Sequence, residues 1–444
     1  MTTPRPATTA VILAAGLGTR MKSSLPKCLH PIAGRPMLTH LLDAASQVFD
    51  RIVVVTGPEM EAVAKAAAPH PAVVQQERLG TGHAALQATP YFGDGDVAIL
   101  YADNPLITPG TLARLKAARK EAGLALLAMR PPEPGKYGRV ITNDTGDVTE
   151  IVEWAEASEA QRAVTLCNAG VFCAAGPDLA RWLAAIRPDN AKGEYYLTDA
   201  VALAVAEGKR VVAVEADYAE LRGVNSRAEL AAAEAAVQTR LRAAAMDGGV
   251  TLTAPDTVFF AADTVIEPDV TVGPHVVFGP GVTVKTGAEI LAFSHLEDCV
   301  VGEGARIGPY ARLRPGARVG RAAHVGNFVE LKATVLGDGA KANHLAYLGD
   351  AEIGAGSNIG AGTITCNYDG HLKHRTVIGD GSFVGSNATI VAPVTLGQGS
   401  FIAAGSTITK DVEADALAFG RPRQSVKPGG GAAIRSTWPK KKGG

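Results

Sequence analysis

An aliphatic residue, often followed by glycine, recurs at every sixth position through much of the second half of this chain. Such a period predicts a coil in which three six-residue sides close one triangular turn. The aliphatic side chains point inward and stack between turns, while glycine or asparagine permits the backbone angles of the corners. The positions are Val272, Phe278, Val284, Ile290, Val301, Ile307, Leu313, Val319, Val325, Leu331, Ile353, Ile359, Ile378, Val384, Ile390, Leu396, Ile402 and Ile408. The pattern predicts a left-handed parallel β-helix of hexapeptide repeats.

The hexapeptide series slips its register between its runs, and the longest break contains residues 366–376, CNYDGHLKHRT. We expect this segment to leave the coil as a loop, where functional residues commonly lie. A β-sandwich of short strands is the alternative fold for this half. It predicts alternation with a period of two and irregular spacing, which the series does not show.

The first half of the chain alternates short apolar runs with helical stretches. This alternation predicts an α/β, Rossmann-like domain with a mostly parallel sheet. A chain of 444 residues is long enough for two domains. We place the first domain at 1–224, a connecting helix and linker at 225–249, the β-helix at 250–424 and a flexible, Gly-rich basic tail at 425–444.

Charge and cysteine usage argue against several classes of protein. The chain has 43 Lys and Arg residues and 44 Asp and Glu residues, and this balance disfavours a nucleic-acid partner. Any site for an anion must therefore come from a local group of cations. We find no signal peptide and no apolar stretch of membrane-spanning length, so we expect a cytoplasmic protein without membrane insertion. The five cysteines show neither CxxC spacing nor clustering with histidines, which favours free thiols over disulfides or zinc.

The first apolar run ends in a Gly-rich turn with two cations close by. The turn is Leu13-Ala14-Ala15-Gly16-Leu17-Gly18-Thr19-Arg20-Met21, and Pro26-Lys27 follows. Small residues let the backbone approach a phosphate, a helix N-terminus adds partial positive charge, and Arg20 and Lys27 can neutralise a triphosphate. The turn lacks the third glycine of a dinucleotide fingerprint and the GK[ST] of a P-loop, so by itself it is a weak signal of nucleotide binding.

The longer string LAAGxGTRM, with PK downstream, resembles the sugar nucleotidyltransferase family. The resemblance implies that Arg20 and Lys27 contact phosphate and serve catalysis, that Gln75 and residues 79–84 recognise the base, and that Asp103 and Asn225 hold Mg²⁺. Gly138, Glu153 and Asn168, with the neighbouring residues 137–139, match the uridylyltransferases that act on N-acetylglucosamine 1-phosphate. The residues implied to bind UTP or UDP-N-acetylglucosamine are Leu13, Ala14, Ala15, Gly16, Lys27, Gln75, Gly80, Thr81, Gly138, Glu153, Asn168 and Asn225.

The chemistry of such a transfer explains this set of residues. A sugar 1-phosphate is already an anionic nucleophile, so its attack on the α-phosphate of UTP requires charge neutralisation and alignment, not a general base. Mg²⁺ bridging the phosphates, with Lys27 and Arg20 beside it, would stabilise the charge that builds as pyrophosphate leaves.

Cations, an imidazole and a phenol lie on the predicted coil, whose corners need none of them. Acyl transfer from a thioester to a sugar amine needs a clamp for the sugar phosphate and a base for the ammonium proton. His344 fits the base, and Arg314 and Lys332 fit the clamp. The alternative is a β-helix that acts only as a spacer or oligomerisation device.

This half resembles the acetyltransferase domain of the bifunctional N-acetylglucosamine-1-phosphate uridylyltransferase and glucosamine-1-phosphate N-acetyltransferase family. Together the two resemblances cover nearly the whole chain. They imply a homotrimer with acetyl-CoA between neighbouring β-helices, and they assign Arg314, Lys332, Tyr347 and Asn358 to the amino sugar phosphate. The residues implied to contact acetyl-CoA or line the reaction centre are Ala361, Asn367, Tyr368, Lys373, Ser386, Ala404 and Arg421.

The sequence departs from the family pattern at three positions. Arg78 stands where Gln is expected, Ala102 where Gly is usual, and Gly420 where Ser is familiar. These departures bear on uracil selectivity and coenzyme affinity. They leave the proposed metal ligands and the proposed base intact.

The resemblance implies an enzyme that acetylates glucosamine 1-phosphate and couples the product to UTP, giving UDP-N-acetylglucosamine and pyrophosphate. Its product would feed peptidoglycan and lipopolysaccharide synthesis in bacteria. One alternative is a monofunctional nucleotidyltransferase for another sugar, such as glucose 1-phosphate, with a structural β-helix. A second is a non-catalytic scaffold with a degenerate nucleotide fold. Consumption of acetyl-CoA and magnesium-dependent release of pyrophosphate distinguish the three.

Overall fold

The apolar runs of the first half form a mixed sheet. The structure, a computed structural model, describes residues 6–190 and 192–439. The strands of this sheet are β1 (Thr9–Leu13), β4 (Arg51–Thr56), β5 (Ala72–Val74), β6 (Asp96–Tyr101), β7 (Leu124–Met129), β8 (Arg139–Thr142), β9 (Val148–Val152), β10 (Cys167–Ala175) and β11 (Val211–Glu215), while β2 (Pro31–Ile32) and β3 (Arg35–Pro36) form a separate two-stranded sheet. The order is β11-β7-β10-β6-β1-β4-β5, in which only β10 runs antiparallel, while β8 pairs with β10 and β9. The predicted mostly parallel sheet is confirmed.

Helices pack on both faces of this sheet. They are α1 (Met37–Ser46), α2 (Glu61–Ala67), α3 (Thr81–Leu86), α4 (Pro109–Arg119), α5 (Glu159–Arg162), α6 (Gly176–Ala185), α7 (Asp199–Ala206), α8 (Tyr218–Leu221) and α9 (Arg227–Asp247). Ile12 belongs to the core that contains Leu41 of α1, and Val11 to the core that contains Trp182 of α6. Because both faces are covered, the central strands are nearly continuous apolar runs. The carboxyl ends of β1, β4 and β6 meet at one edge, where a ligand crevice is expected.

Helix α9 is the long Ala-rich segment that the sequence places between the two halves. It covers Arg227–Asp247, within the predicted connecting segment 225–249. The chain divides into two compact units between Leu241 and Arg242, inside this helix. Alanine, leucine, glutamate and arginine dominate the segment, and all four favour helix.

The second half forms three parallel sheets, which are the three faces of a coil. The first face contains Thr251–Leu252, Thr271–Val272, Glu289–Ile290, Arg306–Ile307, His324–Asn327, Lys341–His344, Asn358–Ile359, Phe383–Val384, Phe401–Ile402 and Leu417–Ala418. The second contains Val277–Phe278, His295–Leu296, Arg312–Leu313, Glu330–Lys332, Tyr347–Gly349, Ile364–Cys366, Thr389–Val391 and Thr407–Ile408. The third contains Val265–Ile266, Thr283–Val284, Cys299–Val301, Ala317–Val319, Val335–Leu336, Ala351–Ile353, Thr376–Ile378 and Val394–Leu396. The predicted β-helix is confirmed.

The aliphatic series forms the interior of this coil. Every residue of the predicted series is buried, with an exposed fraction of 6% or less. The register slips all occur at the corner between the second and third faces, after Leu296, Leu331 and Leu348. The long break occurs at the same corner, where residues 367–375 leave the coil between two paired strands. The predicted loop is confirmed, and it lies at the one corner where the coil is irregular.

Aromatic side chains stack along the corner between the first and second faces. His275, Phe293, Tyr310 and Phe328 form this aromatic ladder, with ring centroids 4.8, 4.9 and 5.2 Å apart. Each adopts a positive φ, because the corner requires a left-handed residue. Phe293, Tyr310 and Phe328 are 46–55% exposed. The coil therefore carries an apolar stripe at this corner.

Beyond the coil, α10 (Gly430–Ser436) is a short exposed helix within the predicted tail, whose last residues, 440–444, lie outside the described residues. No helix in 6–190 or 192–439 combines the length and hydropathy needed to cross a membrane. All five cysteines are free, as predicted. Four of them are buried.

Candidate functional sites

A cavity of about 230 Å³ opens at the carboxyl ends of β1 and β6. It is lined by Leu13, Ala14, Ala15, Gly16, Lys27, Cys28, Gln75, Arg78, Gly80, Thr81, Ala84, Tyr101, Ala102, Asp103 and Glu194. Residues far apart in sequence meet here because their strands are adjacent in the sheet. The cavity brings together the eight residues of the predicted UTP-binding set that come from the first 81 positions, whereas Arg20 and Leu79 do not line it.

Lys27 lies at the charged end of this cavity. Its Nζ is 2.5 Å from Asp103 Oδ2 and 2.9 Å from Asn225 Oδ1. Gly18 allows this placement: its φ is +61°, and a Cβ at that position would lie 2.6 Å from Lys27 Cβ. The glycine of the turn therefore has a packing role as well as a conformational one.

The oxygens of Asp103 and Asn225 converge on a single cationic group, the Lys27 ammonium. The described residues contain no cluster of three or more His, Cys, Asp or Glu side chains able to hold a metal. Mg²⁺ in phosphate-transfer sites takes one or two protein ligands and completes its octahedron with phosphates and water. One carboxylate and one amide oxygen aimed at the same point fit that requirement.

Unpaired backbone donors line the turn after β1. The N–H groups of Gly16, Leu17 and Gly18 make no hydrogen bond to any described residue. Successive free N–H groups form a ready anion site. The turn therefore has the donors that a triphosphate requires.

Gln75 is buried in the same cavity with its amide held in place. Its Nε2 donates to Gly80 O at 3.1 Å and lies 3.1 Å from His83 Nδ1. Gly80 has a φ of +115°, and a Cβ there would lie 2.6 Å from Tyr195 O. With its nitrogen occupied, Gln75 keeps its amide oxygen available to a base.

A second cavity of about 280 Å³ adjoins the first through Tyr101 and Asp103, which line both. It is lined by Tyr101, Asp103, Asn104, Met129, Lys136, Tyr137, Gly138, Glu153, Asn168, Ala169, Gly170, Leu221, Gly223 and Asn225. The three predicted sugar residues, Gly138, Glu153 and Asn168, therefore meet in one place. Asp103 stands at the junction, where a phosphate shared by nucleotide and sugar would lie.

Local contacts set the properties of the second cavity. Asn168 Oδ1 accepts from the Gly170 N–H at 2.8 Å, which leaves its amide nitrogen free to donate. Burial raises the pKa of Glu153, an effect that Lys192 opposes. Burial also raises the pKa of Tyr101, which keeps its phenol neutral. The cavity thus offers both donors and acceptors to sugar hydroxyl and amide groups.

Two predicted residues lie elsewhere. Arg20 is exposed on a short helical turn, Thr19–Met21, and does not line the described cavity. Arg139, which neighbours Gly138, is only 1% exposed. Its guanidinium donates to the carbonyl oxygens of residues 134, 135, 137 and 162. Arg139 therefore braces the loop and is not positioned to contact a sugar.

In the β-helix, His344 ends a strand of the first face beside Asn327 of the preceding turn. The two are partners in the parallel register, and His344 Nδ1 lies 2.6 Å from Asn327 Oδ1. An amide oxygen can only accept, so Nδ1 carries the hydrogen and Nε2 remains a free acceptor. The pair fixes the tautomer that a general base requires.

Cations gather at the irregular corner between the second and third faces. The adjacent Lys373 ammonium lowers the pKa of Lys332. Arg314 is paired with Glu330 at 2.8 Å. Asn367 donates to Asp350 on the same corner. Two adjoining ammonium groups attract an anion such as a phosphate, and the nearby Asp350 carboxylate offsets part of their charge.

Gly349 brings the amino-sugar and loop residues together. A Cβ there would lie 2.5 Å from Tyr347 Oη and 2.8 Å from Asn367 Nδ2. Tyr347 also aligns with Glu330 on the second face. Asn358 aligns with Lys341 on the first face, one turn after the strand that ends at His344. Tyr368 is exposed on the loop, with its hydroxyl donating to Gly370 O at 2.7 Å.

Small residues replace aromatic ones farther along the corner of the ladder. Beyond Leu345 the ladder position carries Gly362, Asn387 and Gly405, and the residues just before them, in the column of His344, are Ala361, Ser386 and Ala404. Arg421 Nη1 donates to Ala404 O at 2.7 Å. Small side chains therefore form a track that continues from His344 along this corner.

Comparisons with known proteins cover both halves. A MobA-like NTP transferase domain matches residues 10–168, and the bacterial transferase hexapeptide repeat matches 298–333 and 375–410. The Bifunctional protein GlmU of Gluconacetobacter diazotrophicus is 69% identical over 99% of this chain and 96% of its own. That of Granulibacter bethesdensis is 65% identical over 97% of this chain and 96% of its own. The chain belongs to the GlmU family.

A crystal structure of UDP-glucose pyrophosphorylase complexed with UDP-glucose is similar with a TM-score of 0.44 and 19% identity, over 53% of this chain and 99% of that chain. Membership of the GlmU family confirms the predicted family and the predicted enzyme class, with one nucleotidyltransferase and one hexapeptide transferase domain. The assignment of individual site residues stays a prediction.

The structure adds residues to this GlmU-family site that the motifs did not indicate. Tyr101 lines both cavities, and its ring packs so closely on Gly170 that a Cβ there would lie 2.7 Å from Tyr101 Cε2. Glu194 and Cys28 line the first cavity. Tyr101 ends its strand two residues before Asp103, so its position was a usable signal. The other two meet the cavity only through folding.

Proposed function

We propose that the enzyme acetylates glucosamine 1-phosphate with acetyl-CoA in its β-helix and couples N-acetylglucosamine 1-phosphate to UTP in its N-terminal unit. One observation carries the N-terminal assignment: Asp103, held by Lys27, stands where the nucleotide and sugar cavities meet. The reaction takes place between a phosphate in each cavity, so the charged group at the junction faces the reacting atoms.

In the uridylyl transfer, the sugar 1-phosphate attacks the α-phosphorus of UTP and pyrophosphate leaves. Asp103 and Asn225 would hold Mg²⁺, which supplies Lewis-acid neutralisation of the phosphate oxygens. Lys27 places a fixed cation beside the same oxygens, and the free N–H groups of Gly16 to Gly18 orient the triphosphate. The binding of Mg²⁺ at Asp103 and Asn225 is part of this proposal.

In the acetyl transfer, the amine of glucosamine 1-phosphate attacks the thioester carbonyl, the C–S bond breaks, and coenzyme A leaves as a thiolate that takes up a proton. His344 Nε2 accepts the proton of the amine, while Asn327 holds Nδ1–H and prevents the ring from turning. Arg314 and Lys332 bind the phosphate end of the sugar, and the Lys373 ammonium adjoins Lys332. The track of Ala361, Ser386 and Ala404 accommodates the coenzyme.

An assay with glucosamine 1-phosphate, acetyl-CoA, UTP and Mg²⁺ tests the proposal by measuring free thiol and pyrophosphate separately. We expect both products, with UDP-N-acetylglucosamine formed only when acetyl-CoA is present. Pyrophosphate without thiol would leave a nucleotidyltransferase on a structural β-helix. Thiol without pyrophosphate would contradict the N-terminal assignment.

The enzyme is proposed to be a homotrimer that assembles through the β-helix, in the cytoplasm, where its product would supply cell-envelope precursors. The aromatic ladder supports assembly, since stacked rings that are half-exposed on one corner leave apolar area to be covered. A second copy of the coil presents the same stripe with the same repeat, which makes it a suitable partner.

Replacing Phe328 by aspartate is expected to dissociate the trimer into monomers in sedimentation velocity. The charge would lie in an apolar contact, while the fold should tolerate it because aspartate adopts a positive φ more readily than phenylalanine. Phe401→Asp is the control, since Phe401 is 46% exposed and stacks on Phe383 away from the ladder. A trimeric Phe328→Asp variant would contradict the proposed interface.

A further inference from the structure

We infer that Arg78 is a positioning residue of the nucleotide site, which holds the Ala15 carbonyl and thereby aims the Gly16 N–H at the triphosphate. Arg78 Nε donates to Ala15 O at 2.8 Å across 63 residues of sequence. Both residues line the nucleotide cavity. The inference rests on the proposed uridylyl transfer and adds to it a residue that orients the phosphate-binding turn.

The geometry of the Ala15–Gly16 peptide connects Arg78 with the Gly16 N–H. The Ala15–Gly16 bond is trans, so the Ala15 C=O and the Gly16 N–H point in opposite directions. With the carbonyl directed at Arg78, the N–H is directed away from it and is not donated to any described residue. A Cβ on Gly16 would meet no atom within 4 Å, which leaves space for a ligand. Arg78 thus fixes a free donor next to the cavity.

The guanidinium is itself held by the loop after β4. A Cβ on Gly57 would lie 2.4 Å from Arg78 Nη2 and 2.9 Å from Cζ. Nη2 is also 3.9 Å from Met60 Sδ. One side chain therefore joins the loops that follow β1, β4 and β5. Because contacts among three loops already fix this donor, it loses little conformational freedom when the nucleotide binds, which favours a preorganised site.

Two substitutions that match each other in length separate the hydrogen-bond donor of Arg78 from its charge. In glutamine, Nε2 occupies the position of arginine Nε along the side chain, and in methionine a methyl group occupies it. We expect Arg78→Met to lower kcat/KM for UTP about tenfold, mostly through KM, because an oriented N–H to a phosphate is lost. Arg78→Gln should remain within about twofold of the wild type, since it keeps the donor. Acetyl transfer should be unchanged in both variants.

Hydrogen–deuterium exchange provides a readout that does not depend on turnover. The Ala14 amide, which donates to Val55 O beside the turn, should exchange faster in Arg78→Met than in the wild type or Arg78→Gln. Equal exchange in all three proteins, or an Arg78→Met enzyme with unchanged KM for UTP, would overturn the inference. Rescue by Arg78→Lys but not by Arg78→Gln would also overturn it, because charge would then be the requirement. A wild-type protein that releases no pyrophosphate would contradict the proposed function, while the exchange comparison would still decide the role of Arg78.

Discussion

Asp103→Ala is expected to lower the rate of uridylyl transfer by about a thousandfold or more and to leave acetyl transfer within about twofold. The change removes the carboxylate at the junction of the two cavities and one of the two oxygens proposed for Mg²⁺. It also leaves the Lys27 ammonium with Asn225 as its remaining contact from this pair. Pyrophosphate release and thiol release, measured on the same preparation, check the two rates.

Asp96→Ala is the matched control for this substitution. Asp96 begins the strand that ends just before Asp103, and its carboxylate pairs with Arg119 at 3.5 Å, away from both cavities. Its loss should leave both activities near the wild-type level. If Asp103→Ala behaved like Asp96→Ala, the position of the proposed metal would be contradicted.

Asp103→Asn tests the metal itself. The amide keeps the shape and one oxygen but loses the charge, so half-maximal activity should require about tenfold more Mg²⁺. An unchanged Mg²⁺ requirement would show that Asp103 acts on Lys27 alone. Loss of acetyl transfer in a soluble, trimeric Asp103 variant would contradict chemical independence of the two sites.

The coil was predictable because its interior tolerates few alternatives. Residues such as Ile307 and Leu313 must be aliphatic, since each stacks on the turn above and below, and this requirement repeats with the period of the turn. The aromatic ladder also carries a signal, since each ring follows an inward residue by three positions. The aliphatic series alone does not reveal the ladder.

The site was predictable where chemistry restricts the residue type. Lys27 and Asp103, both implied by the resemblance, meet because a short helical turn carries the ammonium to the carboxylate that follows the strand end. The role of Arg78 was not predictable, since its partner is a backbone carbonyl that any residue at position 15 would supply. Arg139 was misplaced for the same reason: its partners are loop carbonyls, which leave no trace in the sequence.

His344→Ala is expected to lower acetyl transfer by about a hundredfold to ten-thousandfold, while uridylyl transfer remains unchanged. The substitution removes the free Nε2 that accepts the amine proton, and no other imidazole can replace it on the same strand end. Thiol release at saturating acetyl-CoA measures the effect on the chemical step. His295→Ala is the control, because His295 lies exposed on the second face of the same coil.

Asn327→Asp distinguishes a base from a residue that merely packs in the site. A carboxylate beside Nδ1 stabilises the protonated ring, whereas catalysis needs the neutral ring with Nε2 free. The acid limb of the pH–rate profile for acetyl transfer should therefore move to higher pH, and activity lost at neutral pH should return as the pH rises. If His344 only filled space, the profile would keep its shape and the rate would fall equally at every pH. A profile that overlays the wild type would contradict the assignment of His344 as the base.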